Sequence, residues 1–303
     1  MNRLRSWAAQ FWIGLLFWFT VHVPIVPQVL GPVLLFLIWR CSPAIRAGTL
    51  ANARRVLGES STPCARRRLG RRVLASCFQS VLDFARNSRL TTEQILTGIE
   101  SVEGLDGYEE ARRLKRGAIL VTAHLGPFET AVASLRQREP RVHILFRRDR
   151  TSAFEKLRSE QRRRLDIIEA PIDDGLSTWF RLRDALLADE VVLLQGDRTM
   201  PGQRGIALPF LHGHIEMPEG PVKLARITGS PIIPTFAVLT QQRTVRIVLG
   251  KPIFVGEPDA GGVSGREALR ELAGRIAAMV LQYPEQWLAL EKAWVEDRQE
   301  RCA

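Results

Sequence analysis

The stretch Ala118-Ile-Leu-Val-Thr-Ala-His-Leu-Gly-Pro-Phe-Glu129 decides how the rest of the chain is read. Its first six residues form an apolar run of the length expected for a strand buried on both faces. Gly126 and Pro127 then supply turn chemistry, and Pro127 suits the first position of a helix, where its missing N–H costs nothing. A helical stretch follows from Phe128 to Arg138. The same alternation recurs downstream. Apolar runs at 142–146, 167–170, 191–195, 232–239 and 244–249 are separated by helical stretches at 152–164, 178–188 and 219–228, with another at 265–282. This pattern predicts an α/β fold with a mixed, mostly parallel sheet flanked by helices. Ligands on such sheets sit beyond the carboxyl ends of the strands, so the residues after each strand are where chemistry is to be sought.

His124 stands at the first strand end, and Glu129, in the first turn of the next helix, can fold back toward it. A His held by a carboxylate is fixed in one tautomer and made a better proton acceptor, which is the base half of a triad. A substrate that brings its own hydroxyl needs no catalytic Ser. The plainer reading of the same pair is a lone His beside a Glu at a helix start. The next strand ends in Phe146-Arg147-Arg148-Asp149-Arg150, and a third ends in Gln195-Gly196-Asp197-Arg198. Gly196 permits close backbone approach, and the planar guanidinium of Arg198 fits phosphate or carboxylate. Singly these are ordinary surface ion-pair elements; together they mark His124, Glu129, Arg147, Gly196, Asp197 and Arg198 as candidate site residues. Pro231-Ile-Ile-Pro234 has no titrating group and reads as backbone shaping. His212 and His214 lack companion ligands, and Asp173 and Asp174 read as caps of the helix near Gly175. Four Cys (41, 64, 77 and 302) without a C-x-x-C pair argue against a zinc site and a disulfide framework, and no metal is expected.

The net charge of +11 is unevenly placed. Residues 40–90 carry eleven Arg against only Glu59 and Asp83, whereas residues 91–303 carry 30 basic and 30 acidic groups. From Trp7 to Trp39 there is no Asp, Glu, Lys or Arg, a run long enough to enter a bilayer. Pro24, Pro27 and Pro32 interrupt it, so one span, a re-entrant pair of short helices and a buried hydrophobic hairpin all fit. Residues 1–45 therefore read as a hydrophobic membrane anchor and 46–303 as one domain behind it. Within 46–90, apolar residues recur at helical spacing behind an Arg-rich start, which suits either an anionic membrane surface or a solvated helix face. The Arg cluster after the run places the body on the cytoplasmic side of the membrane. No nucleic-acid motif accompanies the cluster, so a nucleic-acid partner is not expected.

The ordered set His124-x4-Glu129, the Arg147 strand end, Gly196-Asp197-Arg198 and Pro231–Pro234 resembles the four blocks of the glycerophospholipid and lysophospholipid acyltransferase superfamily. The chain is most similar to its branch of bacterial lipid A late acyltransferases. Leu208-Pro-Phe-Leu-His-Gly213, Pro218-Glu-Gly-Pro-Val-Lys-Leu-Ala225 and Tyr283-Pro-Glu-Gln-Trp-Leu288 extend the likeness over nearly the whole chain. It departs at Pro127-Phe128, where the branch usually has Asn-Trp, and at Gln195-Gly-Asp-Arg198, where the branch more often has an Asp-Gln pair. The resemblance implies a membrane-bound O-acyltransferase with no cofactor. Its donor would be an acyl thioester of acyl carrier protein or coenzyme A, and its acceptor a glycolipid hydroxyl such as that of a lipid A precursor or a phosphatidylinositol mannoside. It implies His124 as general base, Glu129 as its orienting acid, and Arg147 and Arg198 on phosphate or the oxyanion. A non-catalytic adaptor bound to anionic lipid is the competing reading.

Overall fold

The computed structural model describes residues 15, 18–20, 22, 23, 25–148, 152–199, 203, 205–256 and 261–299. Seven strands form the central sheet: β1 (Ile99–Glu103), β2 (Ala118–Thr122), β3 (Val142–Phe146), β4 (Ile168–Pro171), β5 (Val191–Gln195), β8 (Ile232–Leu239) and β9 (Val245–Leu249). Their spatial order is β1-β9-β8-β2-β5-β3-β4, and every neighbouring pair is parallel except β8 with β9. The mixed, mostly parallel sheet is therefore present. β2 sits at its centre with all five residues buried, which is why the sequence shows it as an uninterrupted apolar run. Two strands lie apart as an antiparallel hairpin, β6 (Gly205–Pro209) with β7 (His214–Pro218).

Helices cover both faces. Among the described residues from Ile25 on, four precede the sheet's strands: α1 (Ile25–Cys41), α2 (Pro43–Leu57), α3 (Pro63–Asn87) and the short α4 (Thr92–Leu96). Along the sheet run α5 (Leu105–Arg113), α6 (Phe128–Arg136), α7 (Ser152–Arg164), α8 (Leu176–Leu187), α9 (Gly220–Thr228), α10 (Gly265–Gln282) and α11 (Val295–Gln299). The ends of α3 and α10 follow from their flanking residues. The Thr62 hydroxyl accepts from the Ala65 N–H with Pro63 in the first turn, and Ser264 and Glu267 close a reciprocal capping box. One core cluster joins one face of the sheet to α9, α10 and the C-terminal Trp287 and Trp294; another fills the space under α5 and α6.

Residues 7–14, 16, 17 and 21 of the first apolar stretch lie outside the described residues. Among the described residues no single helix is long and apolar enough to cross a membrane. The bent pair α1 and α2, which meet at 90°, passes by length and composition together. α2 starts at Pro43, just before the boundary expected at residue 45, and its polar contacts through Asn52, Arg54 and Arg55 are with the body. The Asn52 amide donates to Ala289 O (2.9 Å) and Glu291 O (2.7 Å) and accepts from Ala293 N–H. Arg54 and Arg55 both bond the buried carboxylate of Asp297, so two of the eleven arginines are spent inside the fold. α3 is amphipathic as expected, burying Leu69, Val73, Leu74, Leu82 and Phe84 and exposing Arg67, Arg68, Arg71 and Arg72. The capping role expected of Asp173 and Asp174 is not what the structure shows. They form a 3₁₀ turn ahead of α8, which starts on Gly175 without a side-chain cap.

Candidate active site

Sheet order puts the chemistry together. β2, β5 and β3 are adjacent and parallel, so the residues after each emerge on one edge: His124 after β2, Asp197 and Arg198 after β5, Arg147 after β3. Register sharpens this, since Thr122 pairs with Gln195. His124 and Asp197 each lie two residues beyond that pair, and they meet.

The His124 Nδ1 is 2.7 Å from Asp197 Oδ1. Asp197 is buried, and its other oxygen accepts from the indole N–H of Trp287 (2.9 Å) and from Arg198 Nη2 (3.1 Å). Burial alone would raise this carboxyl's pKa; the His124 and Arg198 charges and the bonds from His124 and Trp287 outweigh it and hold Asp197 far below the carboxylate range. Burial pushes the His124 imidazole below its ordinary value, with Arg198 and Arg158 adding to that and Asp197 opposing it. The result is a neutral imidazole donating Nδ1–H to an ionised carboxylate. Nε2 is left as the basic nitrogen.

The backbone carrying His124 is clamped from the far end of the chain. Leu288 N–H donates to His124 O (2.7 Å), Gly126 N–H donates to Gln286 O (3.0 Å), and Leu125 bridges Trp287. Gly126 has φ +61°, and a Cβ there would lie 2.1 Å from Ala237 O, so no other residue fits. At Gly196 a Cβ would come within 2.6 Å of the Val121 side chain; its N–H instead donates to Thr122 O (2.8 Å). Both glycines let the strand ends approach closely enough for the His–Asp pair to form.

Glu129 occupies the first turn of α6 as expected, but the carboxylate on His124 is Asp197. Glu129 Oε1 lies 3.5 Å from Arg158 Nη2 of α7, and burial raises its pKa against the pull of Arg158. The spacing of five residues along the chain favoured Glu129, whereas the bond is made across two strands. Arg147 faces Asp173 at 3.8 Å, and Arg148 bonds both Asp173 (through its N–H) and Asp174. The two aspartates therefore hold the β3 end in place rather than cap α8. Arg162 stacks on the Phe146 ring at 3.8 Å and bonds Glu155 and Glu169. His212 bonds Arg55 O and His214 bonds Glu296, both outside the site.

His124, Glu129, Arg147, Arg158, Arg162 and Arg198 all line one cavity of about 1310 Å³. Among the described residues that line it, seven are Arg or Lys and three are Glu, a surplus that favours an anionic guest. Cys77 of α3 also lines it, and burial pushes its thiol up to about 12, so it is protonated and unreactive. A small apolar cavity of about 40 Å³ lies between α6 and the sheet and shares Thr122, Phe128, Val132 and Leu193 with the large one. Sequence reasoning singled out neither Asp197 as the His124 partner nor Trp287 and Arg158 as members of the site. The Tyr283–Leu288 motif was visible, and its only legible signal was its similarity to a family block.

Comparison with known proteins bears on this geometry. Residues 2–296 match a family described as bacterial lipid A biosynthesis acyltransferase. A phosphatidylinositol mannoside acyltransferase of Mycobacterium tuberculosis is 25% identical over 200 residues, covering 66% of this chain and 61% of that protein. One from Mycolicibacterium smegmatis is 25% identical over 183 residues, covering 60% and 58%. The matched region thus spans about three fifths of the length of these relatives.

Proposed function

The chain belongs to the bacterial lipid A biosynthesis acyltransferase family, and from that premise we propose that it transfers a fatty acyl group from a thioester to a hydroxyl of a membrane glycolipid. The donor is the thioester of acyl carrier protein or coenzyme A, and the enzyme works at the cytoplasmic face of the inner membrane. The observation that carries the reading is the neutral His124, held by a buried, ionised Asp197 at the wall of a large basic cavity.

In this mechanism Nε2 of His124 takes the proton of the acceptor hydroxyl as its oxygen attacks the thioester carbonyl. Asp197 keeps the imidazole in the Nδ1–H tautomer and stabilises the imidazolium that forms. The new C–O bond leaves a negative charge on the former carbonyl oxygen, which basic groups of the cavity and nearby N–H groups stabilise. Collapse breaks the C–S bond, and the departing thiolate takes the proton from His124. Atoms and charge balance with no cofactor and no acyl-enzyme. Glu129 acts through Arg158, fixing that guanidinium on the cavity wall, and Arg147 meets the phosphate of a substrate.

The favoured acceptor is a phosphorylated glycolipid such as a lipid A precursor. A phosphatidylinositol mannoside-like glycolipid is the second reading, supported by the names of the 25% identical relatives. Mass spectrometry of membrane glycolipids from cells with and without the protein separates the two, because it reads acceptor and chain together. Wild-type activity from purified His124→Ala enzyme would overturn the assignment of the base.

A further inference from the structure

Among the described residues, the mouth of the large cavity carries large apolar side chains that stay mostly exposed. Leu176 and Phe180 of α8 and Ile227 of α9 are 74%, 54% and 64% exposed, and all three line the cavity. Soluble surfaces scatter single apolar residues, but three large ones on two packed helices at the opening of one cavity form a patch. Residues 176 and 180 are one helical turn apart, so they share a face of α8. The cavity behind the patch has the basic surplus already described, and Arg183, also on α8, lies on its wall. An apolar lip in front of a basic chamber is complementary to an amphiphile interface: anionic heads face the chamber, and hydrocarbon meets the lip.

We propose that the α8–α9 lip is a membrane-contact surface separate from α1 and α3, which dips into an anionic phospholipid bilayer so that an acceptor passes from the leaflet into the cavity without crossing water. The inference rests on the reading of the cavity as a lipid acyltransferase site. It also accounts for polarity along α8. Leu187, at the other end of the helix, is exposed as well, but it precedes the start of β5 and so stands toward the opposite edge of the sheet.

Photo-crosslinking of the full chain on mixed phosphatidylcholine and phosphatidylglycerol vesicles tests this without requiring turnover. Benzoylphenylalanine placed singly at 176, 180 or 227 is expected to give phospholipid adducts. The same probe at Leu114 or Leu187, both exposed toward the opposite sheet edge, is expected to give adducts at least about tenfold weaker, since burial of a large apolar side chain is worth more than one decade in partitioning. The pair Leu176→Asp and Phe180→Asp should lower adduct formation at 227 by a similar factor while the chain stays vesicle-bound through α1. No adducts at 176, 180 and 227, or equal adducts at 114 and 187, overturns the proposal, as does full crosslinking at 227 in the double variant. Because the readout is lipid contact, its failure leaves the acyltransfer reading standing. An inactive enzyme that crosslinks as expected would instead count against acyltransfer alone.

Discussion

Replacing Asp197 by Asn separates the arrangement at the site from the one that chain spacing suggests. Asn keeps the shape and can still accept from Trp287, but it carries no charge and stabilises either imidazole tautomer. The Nδ1 to Oδ1 distance is 2.7 Å, which places the charge centres of an imidazolium and a carboxylate about 4 Å apart. At the effective dielectric that reproduces protein titrations, such a pair is worth about 4 kcal/mol. Most of it is realised only when His124 becomes charged, so the loss falls on the transition state and corresponds to about a thousandfold in kcat. KM for either substrate should move little. Release of the free thiol of coenzyme A or acyl carrier protein, followed together with acylated glycolipid by mass spectrometry, supplies the rate. Its pH profile supplies the cause. Asp197 raises the His124 pKa against the burial that lowers it, so removing the charge should shift the acidic limb of kcat/KM to still lower pH. Glu129→Gln is the companion measurement. It removes the carboxylate that helps hold Arg158 in place and should raise KM for an anionic substrate by about tenfold, leaving the acidic limb where it was. A thousandfold loss with a displaced limb in Glu129→Gln, beside near-normal turnover in Asp197→Asn, would refute the assignment of the carboxylates.

Other consequences follow from the same contacts. Trp287→Phe removes the indole N–H on Asp197 and should cost about tenfold in kcat with little change in melting temperature, because one hydrogen bond to a charged group is worth roughly 1.5 kcal/mol or more. Gly126→Ala should destabilise the protein by about 3 kcal/mol in a denaturant titration, its Cβ meeting Ala237 O in a left-handed backbone; unaltered stability would show that the 124–126 turn is laxer than its contacts. Asp297→Ala strips the carboxylate shared by Arg54 and Arg55 and should cost about 2 kcal/mol, discounted for the partial exposure of Arg54, with a matching drop in melting temperature. Because His124 is held neutral below its ordinary pKa, the unfolded chain takes up a proton there first on acidification. Its contribution is complete above about pH 6.5 and falls as the pH drops toward the lowered native value, a slope that His124→Gln should flatten in melts scanned over pH.

What was legible in the sequence depended on how each element meets its neighbours. β2 and β5 are covered on both faces, so Ala118–Val121 and Val191–Leu194 had to be continuous apolar runs, with polar residues only at the strand ends, Thr122 and Gln195. β1 was not legible because it is an edge strand. Ile99-Glu-Ser-Val-Glu103 needs little apolar content, and it is a strand only because β9, some 145 residues later, pairs with it. The β6–β7 hairpin escaped for a related reason. Its register is set by burying Leu208, Ile215 and Met217 against the C-terminal segment, where Trp294 bonds Phe210 O, and no local turn pair such as Asn-Gly announces it.

The carboxylate that serves His124 is the instructive case. Along the chain, Glu129 is five residues away and Asp197 is 73, so a search by spacing ranks them in the wrong order. In a parallel sheet, however, proximity is governed by offset from the paired residues. Thr122 faces Gln195, and positions 124 and 197 lie at the same offset beyond that pair, so side chains there are neighbours whatever their separation in sequence. Adjacency of β2 and β5 was the missing datum. The two most uniformly apolar runs in such a sheet belong at its centre, and central parallel strands pair. That argument, applied to Ala118–Thr122 and Val191–Gln195, brings the His124 and Asp197 strand ends together before any coordinates are known. Glu129, in the first turn of α6, pairs instead with Arg158 of α7. His124 and Asp197 are thus carried by the ends of central strands, and Glu129 by a helix beside them. For that reason substitutions at Asp197 should register in kcat and those at Glu129 in KM.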